Sequence, residues 1–365
     1  MNPCATNKIQ HQFWNGKKVL VTGHTGFMGS WLSLWLTQLG ACVSGVSLNP
    51  NTEPSLFEKA KINLLGKDYR NDIRDYLSVE KIVNEVQPEI IIHLAAQPLV
   101  LTSYKLPVET FSTNVMGTVH VLEAARQCGS VRSIAVITSD KCYENNEQAK
   151  SFKENDSLGG SDPYSASKGA TEIVVSSYRK SFFALRNIPV LSFRAGNIIG
   201  GGDWSENRLI PDFVRALIAE KNLQIRSPNS IRPWQHVLEP INVYLQLIQK
   251  SYESPSEVST AWNIGPEESS EKTVIDVIKM FTKLWGASGN YFILENAGNP
   301  QESIYLKIDS HKLKSYLNWR PILGFEDTVK WSVEWYKNFY YEKQSAQEVC
   351  LKQINQFCSR SDLHM

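Results

Sequence analysis

Tyr164 and Lys168 stand four residues apart in "DPYSASKGATEIV". At that spacing they share one face of a helix, one turn apart. A phenol with an ordinary pKa near ~10 is a poor base at neutral pH. An ammonium beside it and an oxidised nicotinamide above it both favour the phenolate. Such a pair can take a proton from a carbinol while the cofactor takes hydride. The chain has 14 tyrosines, so roughly one such spacing arises by chance, and its weight comes from what surrounds it. A second chemical stretch is "VRSIAVITSDKCYENNEQ". Its apolar run ends at Ile137, followed by Thr138, Ser139, Asp140 and Lys141. An acid beside a base at a strand end is either machinery or a polar turn.

A third stretch, "VLVTGHTGFMGSWL", carries Gly23, Gly26 and Gly29 between a strand and a helix. Gly23 permits a tight turn. Gly26 lets backbone N–H groups approach a pyrophosphate. Gly29 lets the helix pack close to the strand. The helix N-terminus then favours the negative charge. The turn, with Thr25, Phe27 and Met28 between its glycines, is expected to bind a dinucleotide. The next strand ends "GVSLNPNTEPS", with no acid before Glu53 and no arginine. Lack of arginine favours NAD over its 2′-phosphorylated form, and leaves the ribose to groups such as Ser47 and Asn49. Asp72 and Ile73, after a third strand, are expected at the adenine.

These residues need a scaffold that brings strand ends together. "KKVLVTG", "CVSGVSL", "PEIIIHLAA", "RSIAVITS" and "IPVLSFRAGN" are short apolar runs. Helical periods lie between them, in "SWLSLWLTQLG", "SVEKIVNEV", "PVETFSTNVMGTVHVLEAARQCG" and residues 163–183. Strands this apolar are buried on both faces of a parallel sheet. The alternation predicts an α/β fold, a doubly wound parallel sheet of Rossmann type. Residues 14–197 are expected to form it, with part of 235–265 returning to it. Residues 198–345 are glycine- and proline-punctuated and predict a smaller substrate lobe. Residues 346–365 read as a loose tail.

Bulk composition excludes several classes. The 365 residues carry a formal net charge of +1, so no global field favours nucleic acid or an anionic membrane. No apolar run is long enough to span a membrane. Six cysteines stand scattered without a CxxC pair. Neither a metal site nor a disulfide framework is expected, and free thiols fit a reducing, cytoplasmic setting.

The order of the motifs carries a resemblance. "TGHTGFMGSWL", "HLAAQPLV", "TNVMGT", "SDPYSASK" and "RAGNIIGGGDW" resemble the extended short-chain dehydrogenase/reductase superfamily, in its sugar-nucleotide branch. "ITSDKCYEN", "GGGDW", "RLIPD" and "IRPWQHVLEP" resemble its 4,6-dehydratases. The resemblance implies oxidation at C4 of the sugar, loss of water across C5 and C6, and hydride return to C6. It implies NAD as cofactor and a nucleotide sugar as substrate, with CDP-glucose expected. Tyr164 would then deprotonate the 4-hydroxyl, with Lys168 at the nicotinamide ribose. Ser139 would bond the 4-oxygen, Asp140 would be the C6 acid and Lys141 the C5 base. A lysine base must be neutral and an aspartic acid protonated, which requires a desolvated pair. Leu94, Ala95, Ala96 and Gln97 would line the cofactor. Asn197, Arg208 and Arg232 would hold the diphosphate. The superfamily also implies a homodimer, or a tetramer, through the helices starting near Pro107 and Pro163. A nucleotide-sugar epimerase, or a catalytically silent binding protein, shares part of this pattern.

Overall fold

The computed structural model describes residues 11–145, 150–225, 227–286, 291–293 and 306–361. Seven parallel strands form the central sheet. In chain order they are β1 (Lys18–Thr22), β2 (Cys42–Ser47), β3 (Lys67–Arg70), β4 (Ile90–His93), β5 (Ser133–Ile137), β6 (Val190–Ala195) and β7 (Ala261–Ile264). Their spatial order is β7-β6-β5-β4-β1-β2-β3. The order reverses beside β1, where doubly wound sheets open a crevice at their carboxyl edge. β7 comes from the second half of the chain and extends the sheet by pairing with β6.

Helices cover both faces, which is why these strands read as unbroken apolar runs. On one face lie α1 (Phe27–Gln38) and α5 (Leu238–Glu253), and on the other α2 (Tyr76–Val86), α3 (Gly117–Gln127) and α4 (Pro163–Tyr178). Their ends follow local chemistry. The side chain of Asp75 accepts from Ser78 N and starts α2. Asp162 does the same for Ser165 N, with Pro163 in the first turn of α4. That cap fixes where Tyr164 enters its helix. The long helix expected over 107–129 is interrupted by a π-turn at Ser112–Met116, a device often found at functional sites.

The second lobe is made of short pieces. Ile231–Pro233 pairs antiparallel with Glu271–Thr273, and Lys307–Ile308 pairs with Ser151–Phe152. Helix α6 (Phe325–Tyr340) buries Trp331, Trp335 and Tyr336.

One expectation fails. Residues from 346 are not a loose tail. Ala346–Ser361 forms α7, burying Val349, Cys350, Ile354 and Phe357. The Phe357 ring meets Trp35 of α1 edge-on at 5.8 Å, and Trp335 Nε1 donates to Cys350 Sγ at 3.2 Å. The helical period was present, but the polar "YEKQS" before it hid its start. Phe357→Ala should therefore destabilise the fold by about 3 kcal/mol, the usual scale for a buried ring. A urea titration followed by tryptophan fluorescence checks this, and an unshifted midpoint would restore the loose tail.

Candidate active site

Strand register aligns the chemistry. Thr22 pairs with His93, His93 with Val136, and Ile137 with Phe193. The segments after β1, β4 and β5 therefore emerge side by side. Gly23 adopts φ +77, and a Cβ there would lie 2.7 Å from Ala95 N. A Cβ on Gly29 would strike the Gly23 carbonyl. The first turn of α1 follows Gly26, which provides no side-chain cap, and contains no acid. Its N–H groups are thus available to an anion, over a cradle that side chains would fill. These two features fit a dinucleotide pyrophosphate.

The flanks of this cradle are tied down. Thr25 Oγ1 shares a hydrogen bond with Ser47 Oγ at 2.7 Å and reaches the Leu48 carbonyl at 3.1 Å. Ser47 is buried and Asn49 exposed. Phe27 and Met28 pack against the core. An arginine does stand by the end of β2, but β3 supplies it. Arg70, in register with Ser47, donates to the Leu48 carbonyl at 3.1 Å and to Asp68 at 2.8 Å. Asp72 accepts from Arg74 at 2.8 and 2.6 Å. The Ile73 side chain turns into the core against Gly117, so only its backbone can face a cofactor.

Past β4, Leu94 N and Ala95 N donate to Thr22, through its carbonyl and its hydroxyl, at 3.1 and 3.2 Å. Ala96 is half-buried beside them. Gln97 is clamped at both ends by one amide. Its N–H donates to Asn114 Oδ1 at 2.7 Å, and Asn114 Nδ2 donates back to its carbonyl at 3.1 Å. Asn114 also donates to Ser167 Oγ on α4 at 2.8 Å. Sequence reading assigned Asn114 nothing, although "TNVMGT" contains it. Its π-turn is the structural signal.

Past β5, Ser139 caps a 3₁₀ turn, Asp140–Cys142. Its hydroxyl donates to Asp140 Oδ1 at 3.1 Å, and Ser139 acts to lower the pKa of the Tyr164 phenol. Asp140 is 1% exposed. Burial pushes its carboxyl above the ordinary range, against the pull of Lys141, Ser139 and Arg232. Lys141 is only half-buried, so the desolvation expected of the pair is complete at Asp140 and partial at Lys141. Lys168 is buried, its Nζ donating to the Ile137 carbonyl at 3.4 Å, and burial lowers it to about 8.

The expected lowering of the Tyr164 phenol is not found in the chain alone. Burial pushes it up to about 12, and the groups that oppose this are Ser139 and Arg208. Desolvation outweighs them, and a cationic nicotinamide, when bound, would add to the stabilisation of a phenolate.

The arginines reach the same place from the second lobe. Arg232 is buried and its charge acts on Asp140, and that of Arg208 acts on Tyr164. Arg208 also pairs with Asp203 at 3.4 Å. Asn197, at φ +50, donates to Asp140 Oδ2 at 3.3 Å, so it would have to turn to meet a diphosphate. His93 is a satisfied core histidine between Thr22 and Thr118, and burial drives it down to about 3. His236 packs edge-on between Trp31 and Trp331, and Trp204 and Trp234 fill the core. Cys42, Cys128, Cys142 and Cys350 are free thiols, and Cys4 lies outside the described residues.

A dinucleotide cradle beside a tyrosine–lysine pair defines an oxidoreductive site on a doubly wound sheet. The GDP-mannose 4,6 dehydratase family model matches residues 20–331, and the chain belongs to that family. It is 47% identical over 334 residues to the CDP-glucose 4,6-dehydratase of Salmonella typhimurium, covering 90% of this chain and 93% of that one. Its fold is similar to dTDP-glucose 4,6-dehydratase from Bacillus anthracis in complex with NAD, with TM-score 0.73 at 21% identity over 90% of this chain and 98% of that one. A UDP-glucose 4-epimerase from Thermotoga maritima matches with TM-score 0.73 at 21% identity, over 88% and 99% of the two chains.

Gly196 follows β6, and a Cβ there would fall inside the Asp140 carboxyl group. Gly196→Ala should displace that carboxyl while leaving the sheet intact. Misplacement by about 1 Å costs on the order of 100-fold in rate. Steady-state turnover of a nucleotide sugar, beside a crystal structure of the variant, checks this. Unchanged turnover would remove Asp140 from the chemistry.

Proposed function

We propose that the chain is an NAD-dependent hydro-lyase that converts CDP-glucose to CDP-4-keto-6-deoxyglucose and water. The observation that carries this reading is Asp140. It is a buried carboxyl of raised pKa, hydrogen-bonded by the Ser139 hydroxyl, and its charge acts on the Tyr164 phenol. An epimerase needs no acid for a leaving group, whereas a dehydratase must protonate the departing C6 oxygen. The 47% identical relative named CDP-glucose 4,6-dehydratase supports the choice of nucleotide.

Bound NAD would supply hydride acceptance at C4 and hydride return at C6. The chain supplies the proton work. Tyr164 takes the proton of the 4-hydroxyl, with Ser139 bonding that oxygen. Lys168 would hold the nicotinamide ribose. The 4-keto group acidifies the C5 proton, which Lys141 removes. Asp140 gives its proton to the C6 hydroxyl, and water leaves. Its raised pKa is the direction this role needs, because a general acid must keep its proton until the leaving group takes it. Arg208, Arg232 and Asn197 hold the diphosphate. Such a product feeds deoxysugar biosynthesis, as for the O-antigen of lipopolysaccharide, in the cytoplasm. Among the described residues no helix is long and apolar enough to cross a membrane.

The working unit is a homodimer in this reading. Val108, Phe111 and Met116 from the 107–116 segment, and Ile173 and Phe182 from α4 and its continuation, are exposed. A second copy of the same two helices would cover them. Ile173→Lys should shift the sedimenting species to half its mass, and an unchanged mass would sink this interface.

Incubation with CDP-glucose and NAD in D2O tests the activity. A 4-keto product absorbing in alkali, with deuterium at C5, is expected. No such product from CDP-, UDP- or dTDP-glucose would refute the dehydratase. Lys141→Met should abolish deuterium incorporation, and undiminished incorporation would rule out Lys141 as the C5 base.

A further inference from the structure

Glu172 lies one turn beyond Lys168 on α4 and is 3% exposed. Its carboxylate accepts three hydrogen bonds, from Thr138 Oγ1 at 2.5 Å, Ser192 Oγ at 2.9 Å and Arg194 Nη2 at 2.7 Å. Thr138 is the next residue after Ile137, whose carbonyl accepts from Lys168 Nζ. The carboxylate and the ammonium therefore grip successive residues of one strand end. That end runs directly into Ser139 and Asp140. A buried ion pair returns little net stability against well-packed apolar residues, so stability alone gives no reason for a charge at this position.

We propose that Glu172 is a positioning residue of the reaction, fixing the β5 tip through Thr138 and serving as the counter-charge that keeps Lys168 an ammonium. What Lys168 and Asp140 then do rests on the dehydratase reading, whereas the charge coupling does not.

The surroundings leave Glu172 in that role. His93 from β4 and Cys142 from the 3₁₀ turn also face Lys168. His93 is neutral, and burial holds the Cys142 thiol protonated. Arg194 from β6 and Arg179 beyond α4 act on Glu172. Burial works against the Glu172 charge, but Arg194, Thr138 and Ser192 outweigh it and hold the group ionised. Burial likewise lowers Lys168, and Glu172 is the largest opposing influence. Without that anion, the lysine would lose its proton at a lower pH still.

Competitive acetylation of Lys168 in the cofactor-free protein, read by peptide mass spectrometry across pH, tests this. In Glu172→Gln the labelling midpoint should fall by about one pH unit or more, the usual effect of a neighbouring opposite charge. Glu172→Asp keeps the charge one methylene further away and should fall between. If Glu172→Gln does not fold, the Asp variant decides against the parent protein. The alkaline limb of kcat/KM for CDP-glucose should move in the same direction. An unmoved labelling midpoint overturns the proposal. A parent enzyme that makes no 4-keto sugar overturns only the dehydratase reading.

Discussion

The structure depends on taking a carboxyl group out of water next to a phenol and an ammonium. The Asp140 carboxyl is pushed above its ordinary range because the sheet edge and Gly196 bury it. Desolvation is indiscriminate. It raises Asp140, raises Tyr164 and lowers Lys168 together. The first shift suits an acid and the other two oppose a phenolate and an ammonium. The remaining architecture opposes those two shifts without cancelling them. Ser139 and Arg208 act on the phenol, and Glu172 acts on the lysine.

Parallel strands make this economical in residues. In-register pairing brings the ends of β1, β4, β5 and β6 to one edge, so short segments supply the glycine cradle, the Gln97 clamp and the buried carboxyl. α4 crosses that edge with its first turn held by Asp162. Arg194 continues the network outward. It donates to the Tyr143 hydroxyl, which donates to Asn263 on β7, whose amide holds the carbonyls of Phe152 and Asp309. The charge pair under Lys168 is thus connected by hydrogen bonds to the second lobe.

Much of this was legible in the sequence. Apolar strands with glycine at their ends disclosed the sheet, because burial on both faces leaves no polar alternation. Spacing placed Tyr164 and Lys168 on one helical face, and the family resemblance placed Ser139 to Lys141 with them. Other parts were not legible. Arg70 beside β2 depends on which strand neighbours which. Asn114 depends on a π-turn that no residue type announces. The grip of Glu172 on Thr138 needs β5 and α4 in contact. The raised phenol is a property of burial, which spacing does not report. The last helix was missed because its polar entry masked a regular apolar period.

That helix has a bearing on how the protein is made. The outer side of α1 is closed by α7, and Gln38 meets Asn355 across 317 positions of chain. During synthesis, the helix that follows the dinucleotide turn emerges early with Trp35 uncovered. Its covering surface is translated 317 positions later. The nucleotide-binding half is therefore written well before it is sealed. Until then its exposed tryptophan face is a natural surface for a chaperone, or for a neighbouring nascent chain.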